Sequence, residues 1–120
     1  MVAKIPTMKM TKVYTERSDP NNLLGRPGGY TSKIAFSDSR VKQSDLIGVD
    51  KYDTGRGGSI EVYETSALAK KRAAYIQAVS GGIVGTEYDY LSRGMLIRVN
   101  GNLIPKDAKT YEKALGEIAP

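Results

Sequence analysis

In Glu87-Tyr88-Asp89-Tyr90 two carboxylates alternate with two phenols, and a strand's period of two puts Glu87 and Asp89 on one face. A carboxylate pair so placed can carry acid–base chemistry at a glycosidic bond or hold Ca²⁺. Arg98, on the strand expected to lie opposite, offers a simpler use for one of them, a cross-strand ion pair. A second concentration of usable groups runs over residues 24–33, where Arg26 and Lys33 flank Gly25, Pro27, Gly28 and Gly29. Cationic side chains beside backbone N–H groups on a glycine-rich path can hold a carboxylate or phosphate. With Tyr30 and the neighbouring Arg40 they make a candidate binding surface of Arg26, Tyr30, Lys33 and Arg40. The segment lacks the spacing of a P-loop or dinucleotide fingerprint, and a structural loop wrapping a sheet edge uses the same residues.

A third group is basic. Lys70-Lys71-Arg72, with Lys42, Lys51 and Arg56, can neutralise phosphates along a nucleic acid, which makes Arg56, Lys70 and Lys71 an alternative, nucleic-acid face. The plainer use of such a run is a solvated helix face, and no RNP or helix-turn-helix pattern accompanies the eight tyrosines and one phenylalanine. The formal charge of +5 favours anionic partners of any kind, nucleic acid, teichoic acids and lipid headgroups among them.

Catalysis has little to work with. The chain has no His and no Cys, which removes the commonest proton shuttle near neutral pH, thiol nucleophiles, disulfides and the usual transition-metal ligands. A Ser or Thr nucleophile would need Lys, Asp or Glu as its base, and no Gly-x-Ser-x-Gly elbow occurs. Asp50-x-x-Asp53 with Gly55 lacks the further acidic ligands of a calcium loop. No catalytic residue, metal site or cofactor is therefore expected, and the protein is expected not to be an enzyme.

The elements that position these groups follow from periodicity and turn chemistry. Residues 1–17 are basic, with Val13-Tyr14 as their β-favouring pair, and are expected to be a flexible tail, outside the core, that can add a short edge strand. Residues 18–120 are expected to form a single domain. It opens on the turn Ser18-Asp19-Pro20-Asn21-Asn22, in which Asp19 can accept backbone N–H groups. Alternation over 30–37 gives a strand with Ile34 and Phe36 inward, and 38–58 reads as a long surface connection. Residues 59–64 form a strand, and Thr65 or Ser66 caps a helix over 67–79 that ends at Gly81-Gly82. Strands over 86–91 and 95–99 make a hairpin across Ser92-Arg93-Gly94. Pro105 then opens a helix whose inward stripe is Ile104, Ala108, Tyr111, Leu115 and Ile118. The expected fold is α+β, a small antiparallel sheet of about four strands with both helices packed on one face, in the order β-loop-β-α-β-β-α.

Taken together, Asp19-Pro20-Asn21, Leu24-Gly25-Arg26-Pro27, Tyr30-Thr31-Ser32-Lys33, Gly58-Ser59-Ile60-Glu61-Val62 and Glu87-Tyr88-Asp89-Tyr90 resemble the C-terminal globular domain of uncharacterised secreted lipoproteins from Gram-positive bacteria. In that family a strand ending in Glu-Val precedes an Ala-Lys-Arg helix ending in Tyr-Ile, matched by Ala69-Lys70-Lys71-Arg72 and Tyr75-Ile76. Met95-Leu96-Ile97-Arg98-Val99 and Ala108-Lys109-Thr110-Tyr111-Glu112 match as well, so the resemblance covers residues 16–115. It rests on many short matches and carries no established activity. It implies an extracellular domain tethered to the membrane in the full-length protein. The chain departs from the pattern in having no lipobox Cys and no signal peptide, and in placing Ile104 where a polar helix cap is usual. An excised domain starting at an added Met1 is the preferred explanation, and a cytoplasmic or phage-borne relative the other. The expected function is a non-enzymatic binding module with a protein or an anionic cell-wall component as partner. The alternative is a small basic nucleic-acid-binding protein of phage or mobile-element origin.

Overall fold

A computed structural model describes residues 5–19, 23–27, 29–41, 56–79, 87–101 and 103–118. The strands are β1 (Met8–Val13), β2 (Ser32–Asp38), β3 (Gly57–Val62), β4 (Glu87–Ser92) and β5 (Met95–Asn100), and the helices α1 (Ser66–Val79) and α2 (Pro105–Ile118). They form a five-stranded antiparallel sheet in the order β1-β2-β3-β5-β4 with two helices, an α+β fold with one strand more than expected. β3 and β4 both run antiparallel to the β5 between them, so they are parallel to each other and α1 is the crossover that joins them.

Two expectations are corrected. The segment before residue 18 supplies the edge strand allowed for it, β1 along β2, but it does not stay outside the core, since Ile5 and Met8 are both buried there. Its short β-favouring content hides this, since an edge strand needs one partner and one apolar face, which Met8 supplies. The helices, moreover, do not share a face. In β5 the adjacent Leu96 and Ile97 are both fully buried, which strand alternation allows only where both sides of the sheet are covered. Leu96 packs with Ala69, Ala73 and Ile76 of α1 and with Tyr30 and Tyr63. Ile97 and Val99 pack with Ala108, Tyr111, Ala114 and Leu115 of α2, with Phe36, Ile60, Ile5 and Met8. The molecule is thus three layers, helix on sheet on helix, with a separate apolar cluster on each side.

Both helices begin where their sequence dictates. Thr65 Oγ1 accepts the Leu68 N–H at 3.2 Å and caps α1, and Pro105 occupies the first position of α2, where its missing N–H has no partner to lose. Of the α2 stripe, Ala108, Tyr111 and Leu115 are buried, whereas Ile104 is exposed because it precedes the first turn. On α1 the narrow alanine face, Ala69 and Ala73, lets the helix lie close to the sheet, and Tyr75 is turned out to solvent with the Arg72 guanidinium over its ring. Gly58 allows a similarly close approach within the sheet. A Cβ there would collide with the Arg98 carbonyl of β5 and the Phe36 ring, so only glycine lets β3 pass between its two neighbours at this point.

Of the earlier expectations, the calcium-like Asp50-x-x-Asp53, Lys42 and Lys51, the Gly81-Gly82 helix end and the greater part of the 38–58 connection lie outside the described residues.

Candidate functional site

The α1 side of the sheet is not simply apolar. Four of the five strands contribute charged residues to that face: Lys33 from β2, Glu61 from β3, Arg98 from β5, Glu87 and Asp89 from β4. Glu61 is wholly buried and stands at the centre. Its Oε2 faces Lys33 Nζ at 3.5 Å and Arg98 Nη1 at 3.3 Å, and its Oε1 accepts from Tyr63 Oη at 2.7 Å and from Arg72 Nε at 3.4 Å. Three cations and a phenol thus surround one carboxylate. Burial, and the hydrogen bond to Glu61, push the Tyr63 phenol well above its ordinary range, so it stays protonated and donates to Glu61.

Arg98 also meets Glu87 with both arms of its fork, Nε and Nη2 each donating at 2.9 Å, the cross-hairpin pair expected from the sequence. This bidentate contact overcomes the burial that would raise Glu87 and holds its carboxyl below the usual range. Asp89 is directly opposite Arg98 in register, yet every nitrogen of that guanidinium already serves Glu87 or Glu61. Asp89 Oδ2 accepts from Gln77 Nε2 of α1 at 3.2 Å, and its Oδ1 is buried with no donor. Burial first, then the adjacent Glu87, push Asp89 up to about 7. The two carboxylates therefore share one proton near neutrality, with Asp89 as the protonated member donating to Glu87.

A pH dependence follows. Between about 4 and 7 folded Asp89 keeps a proton that the unfolded chain has released, so stability falls as pH rises through that window. Solvent reaching the pair limits the effect to about 1 kcal/mol. Asp89→Asn, whose amide donates to Glu87 without ionising, is expected to match the parent at pH 5 and to exceed it by about 1 kcal/mol at pH 8 in urea unfolding. Equal pH profiles for parent and variant would show that Asp89 is not the titrating group.

On the α2 side, Asp38 closes the end of β2. Arg40 donates to it through Nε at 3.0 Å, Nη2 at 2.8 Å and its backbone N–H at 2.9 Å, and buried Tyr111 donates its hydroxyl at 2.5 Å. Burial opposes ionisation, but these donors outweigh it and draw Asp38 down to about 2. Arg40 reaches onward to Thr110 and Asp107 of α2, tying helix to sheet.

The Asp19–Tyr30 loop is braced from within. Asp19 Oδ2 accepts the N–H groups of Leu23 and Leu24 at 2.8 and 2.9 Å, the role its turn position suggests, and its Oδ1 accepts from buried Tyr30 Oη at 2.6 Å. Gly25 N–H donates to the Tyr30 carbonyl at 3.0 Å, and Gly25 adopts φ 78°, a conformation that glycine tolerates best. Outside this frame lies an open cleft of about 390 Å³ lined by Glu16, Arg17, Leu24, Gly25, Arg26 and Pro27.

The four residues of the sequence-derived surface therefore divide. Arg26 is exposed and lines the cleft. Tyr30 and Lys33 come together, the Lys33 ammonium lying 5.2 Å from the Tyr30 ring centre and 5.4 Å from that of Tyr14, but both are buried. Burial pulls Lys33 below the usual lysine range against the pull of Glu61. Arg40 lies apart in the Asp38 clamp. Of the alternative face, Lys70 and Lys71 project from α1 into solvent, and Arg56 is half-buried at the head of β3. Glu16 and Arg17, which no motif in the sequence marks, form the other wall of the cleft. No group of three or more acidic side chains that could hold a metal ion occurs among the described residues, nor is any described helix long and apolar enough to cross a membrane. Comparison with protein-family models, curated proteins and solved structures returns no match.

Proposed function

We propose that this chain is a non-enzymatic binding module acting through the cleft beside Arg26 and, following the lipoprotein resemblance, that it works outside a Gram-positive membrane, tethered in the full-length protein. The cleft on its braced loop is the observation that carries this reading. Glu61, Glu87 and Asp38, the carboxyl groups best placed for chemistry, are occupied by Lys33, Arg72, Arg98 and Arg40 in internal ion pairs. The cleft puts exposed Arg26 next to Leu24 and Gly25, whose backbone N–H groups are already bonded to Asp19 and to the Tyr30 carbonyl, and backbone held in this way lowers the ordering cost of binding. Its partner is then a protein or an anionic component of the cell wall.

Purified domain is expected to sediment with Gram-positive cell walls, and Arg26→Ala to lose that binding with a thermal midpoint within about 2 °C of the parent, as for a surface substitution. Lys33 is unsuited to the same test, because its removal strips a cation from buried Glu61 and would unfold what it was meant to probe. Duplex and single-stranded oligonucleotides at two salt concentrations form the comparison. Steeply salt-dependent oligonucleotide binding, lost in Lys70→Ala/Lys71→Ala, with no wall binding would replace this reading by the nucleic-acid one.

A further inference from the structure

We infer that the cleft selects a zwitterionic group, an ammonium close to a phosphate or carboxylate, rather than an anion alone; this rests on the binding-module reading and gives it a ligand class. The cleft carries two guanidiniums, Arg17 and Arg26, and a single carboxylate, Glu16, with Leu24 and Pro27 as its apolar part. Among the described residues neither Glu16 nor Arg17 enters an ion pair, so the carboxylate is not spent in neutralising its neighbour. The Glu16 carboxylate lies against Gly25, so close that a Cβ there would meet it, which brings it from the Arg17 segment up to the Arg26 segment. Gly25 at φ 78° gives the carboxylate that seat, and the hydrogen bonds of Gly25 to Tyr30 and of Arg26 N–H to Leu23 at 3.1 Å hold the seat in place.

A guanidinium fork matches the paired oxygens of a phosphate or carboxylate. Two of them flanking an anionic oxygen would repel or merely fail to contact an ammonium, and the complement for that charge is Glu16. A ligand lacking the amine would leave Glu16 next to its own anion, an unfavourable like-charge contact, so discrimination comes from repulsion of the wrong ligand as well as attraction of the right one. The volume of about 390 Å³ is at the lower end for small-ligand sites and adequate for one such headgroup. The loop supplies the anion-binding half that Arg26 suggests from sequence, and the turn before it supplies the selective half.

The test titrates the folded domain with phosphoethanolamine, ethyl phosphate and ethanolamine, following backbone amide shifts by NMR. Phosphoethanolamine is expected to shift Glu16, Arg17, Gly25 and Arg26 and to bind about fivefold more tightly than ethyl phosphate, with ethanolamine weakest. Glu16→Gln is expected to bring phosphoethanolamine and ethyl phosphate to parity without weakening ethyl phosphate. Arg17→Ala is expected to weaken both phosphates alike. Equal affinities in the parent, or a preference that survives Glu16→Gln, overturns the inference. Arg26-dependent wall binding with no response to any probe overturns it too while leaving the binding module intact. Absence of both wall binding and probe shifts removes the module reading itself.

Discussion

Glu61→Ala is expected to cost about 3–5 kcal/mol of folding stability, enough to remove most or all of the native state of a domain this size. The loss comes less from the carboxylate's own interactions than from what it leaves behind. Lys33, only 4% exposed, and the partly buried Arg72 and Arg98 would share one neighbourhood with no anion at its centre, and Tyr63 Oη would have no acceptor. Each cation would be desolvated without compensation while repelling the others. Glu61→Gln, which keeps the shape and one acceptor oxygen, should cost less than alanine but remain strongly destabilising. Because the cluster is buried, raising salt should rescue little of the loss, in contrast to a surface pair. Urea unfolding of parent, Glu61→Gln and Glu61→Ala at low and high salt measures this. A Glu61→Ala variant within about 1 kcal/mol of the parent would mean that water or rearrangement already compensates the three cations.

The same cluster shows how far residue order alone carries. Strands, helices and the hairpin were legible because each has a strong local signature: alternation at 30–37, the alanine and lysine periodicity before Gly81, Pro105 at a helix start. Arg98 opposite the Glu87 strand was legible for the same reason, since a tight hairpin fixes register. The side of the sheet to which each helix goes is not a local property. Its signal was present in Leu96-Ile97, two large aliphatic neighbours in a strand, but the polar alternates Lys33, Glu61 and Arg98 made that face look solvent-exposed. Charges that neutralise one another under a helix are indistinguishable, one strand at a time, from charges bathed in water. The candidate site was half legible for a related reason. Arg26 and the glycines lie together in sequence, whereas Tyr30, Lys33 and Arg40 have burial fates set by partners far along the chain: Asp19 and Tyr14, Glu61, Asp38 with Tyr111 and Thr110. Proximity in sequence to the glycine-rich segment made them candidates, whereas packing puts Tyr30 and Lys33 in the interior and Arg40 in the Asp38 clamp.

Asp38→Ala is expected to cost about 3 kcal/mol, for reasons that separate Arg40's structural use from any role in binding. Asp38 is the acceptor through which β2 holds α2: Tyr111, stacked on Phe36 at 5.0 Å between ring centres, donates to it from the centre of the apolar cluster, and Arg40 brackets it from the solvent side. Without the carboxylate the Tyr111 hydroxyl is buried and unpaired, and Arg40 loses both arms of its fork. Tyr111→Phe removes only the hydroxyl and keeps the ring stack, so about 1 kcal/mol is expected. The clamp also has a pH signature opposite to that of Asp89. Asp38 is drawn from its ordinary 3.8 down to about 2, so its stabilisation is complete above about 4 and is lost as pH falls through the folded value. Acid unfolding of the parent should therefore contain a contribution below pH 4 that Asp38→Ala lacks. Arg40→Ala should destabilise the domain through this clamp yet leave the residual folded fraction able to use the Arg26 cleft. Binding lost in Arg40→Ala at full stability would instead return Arg40 to the binding surface.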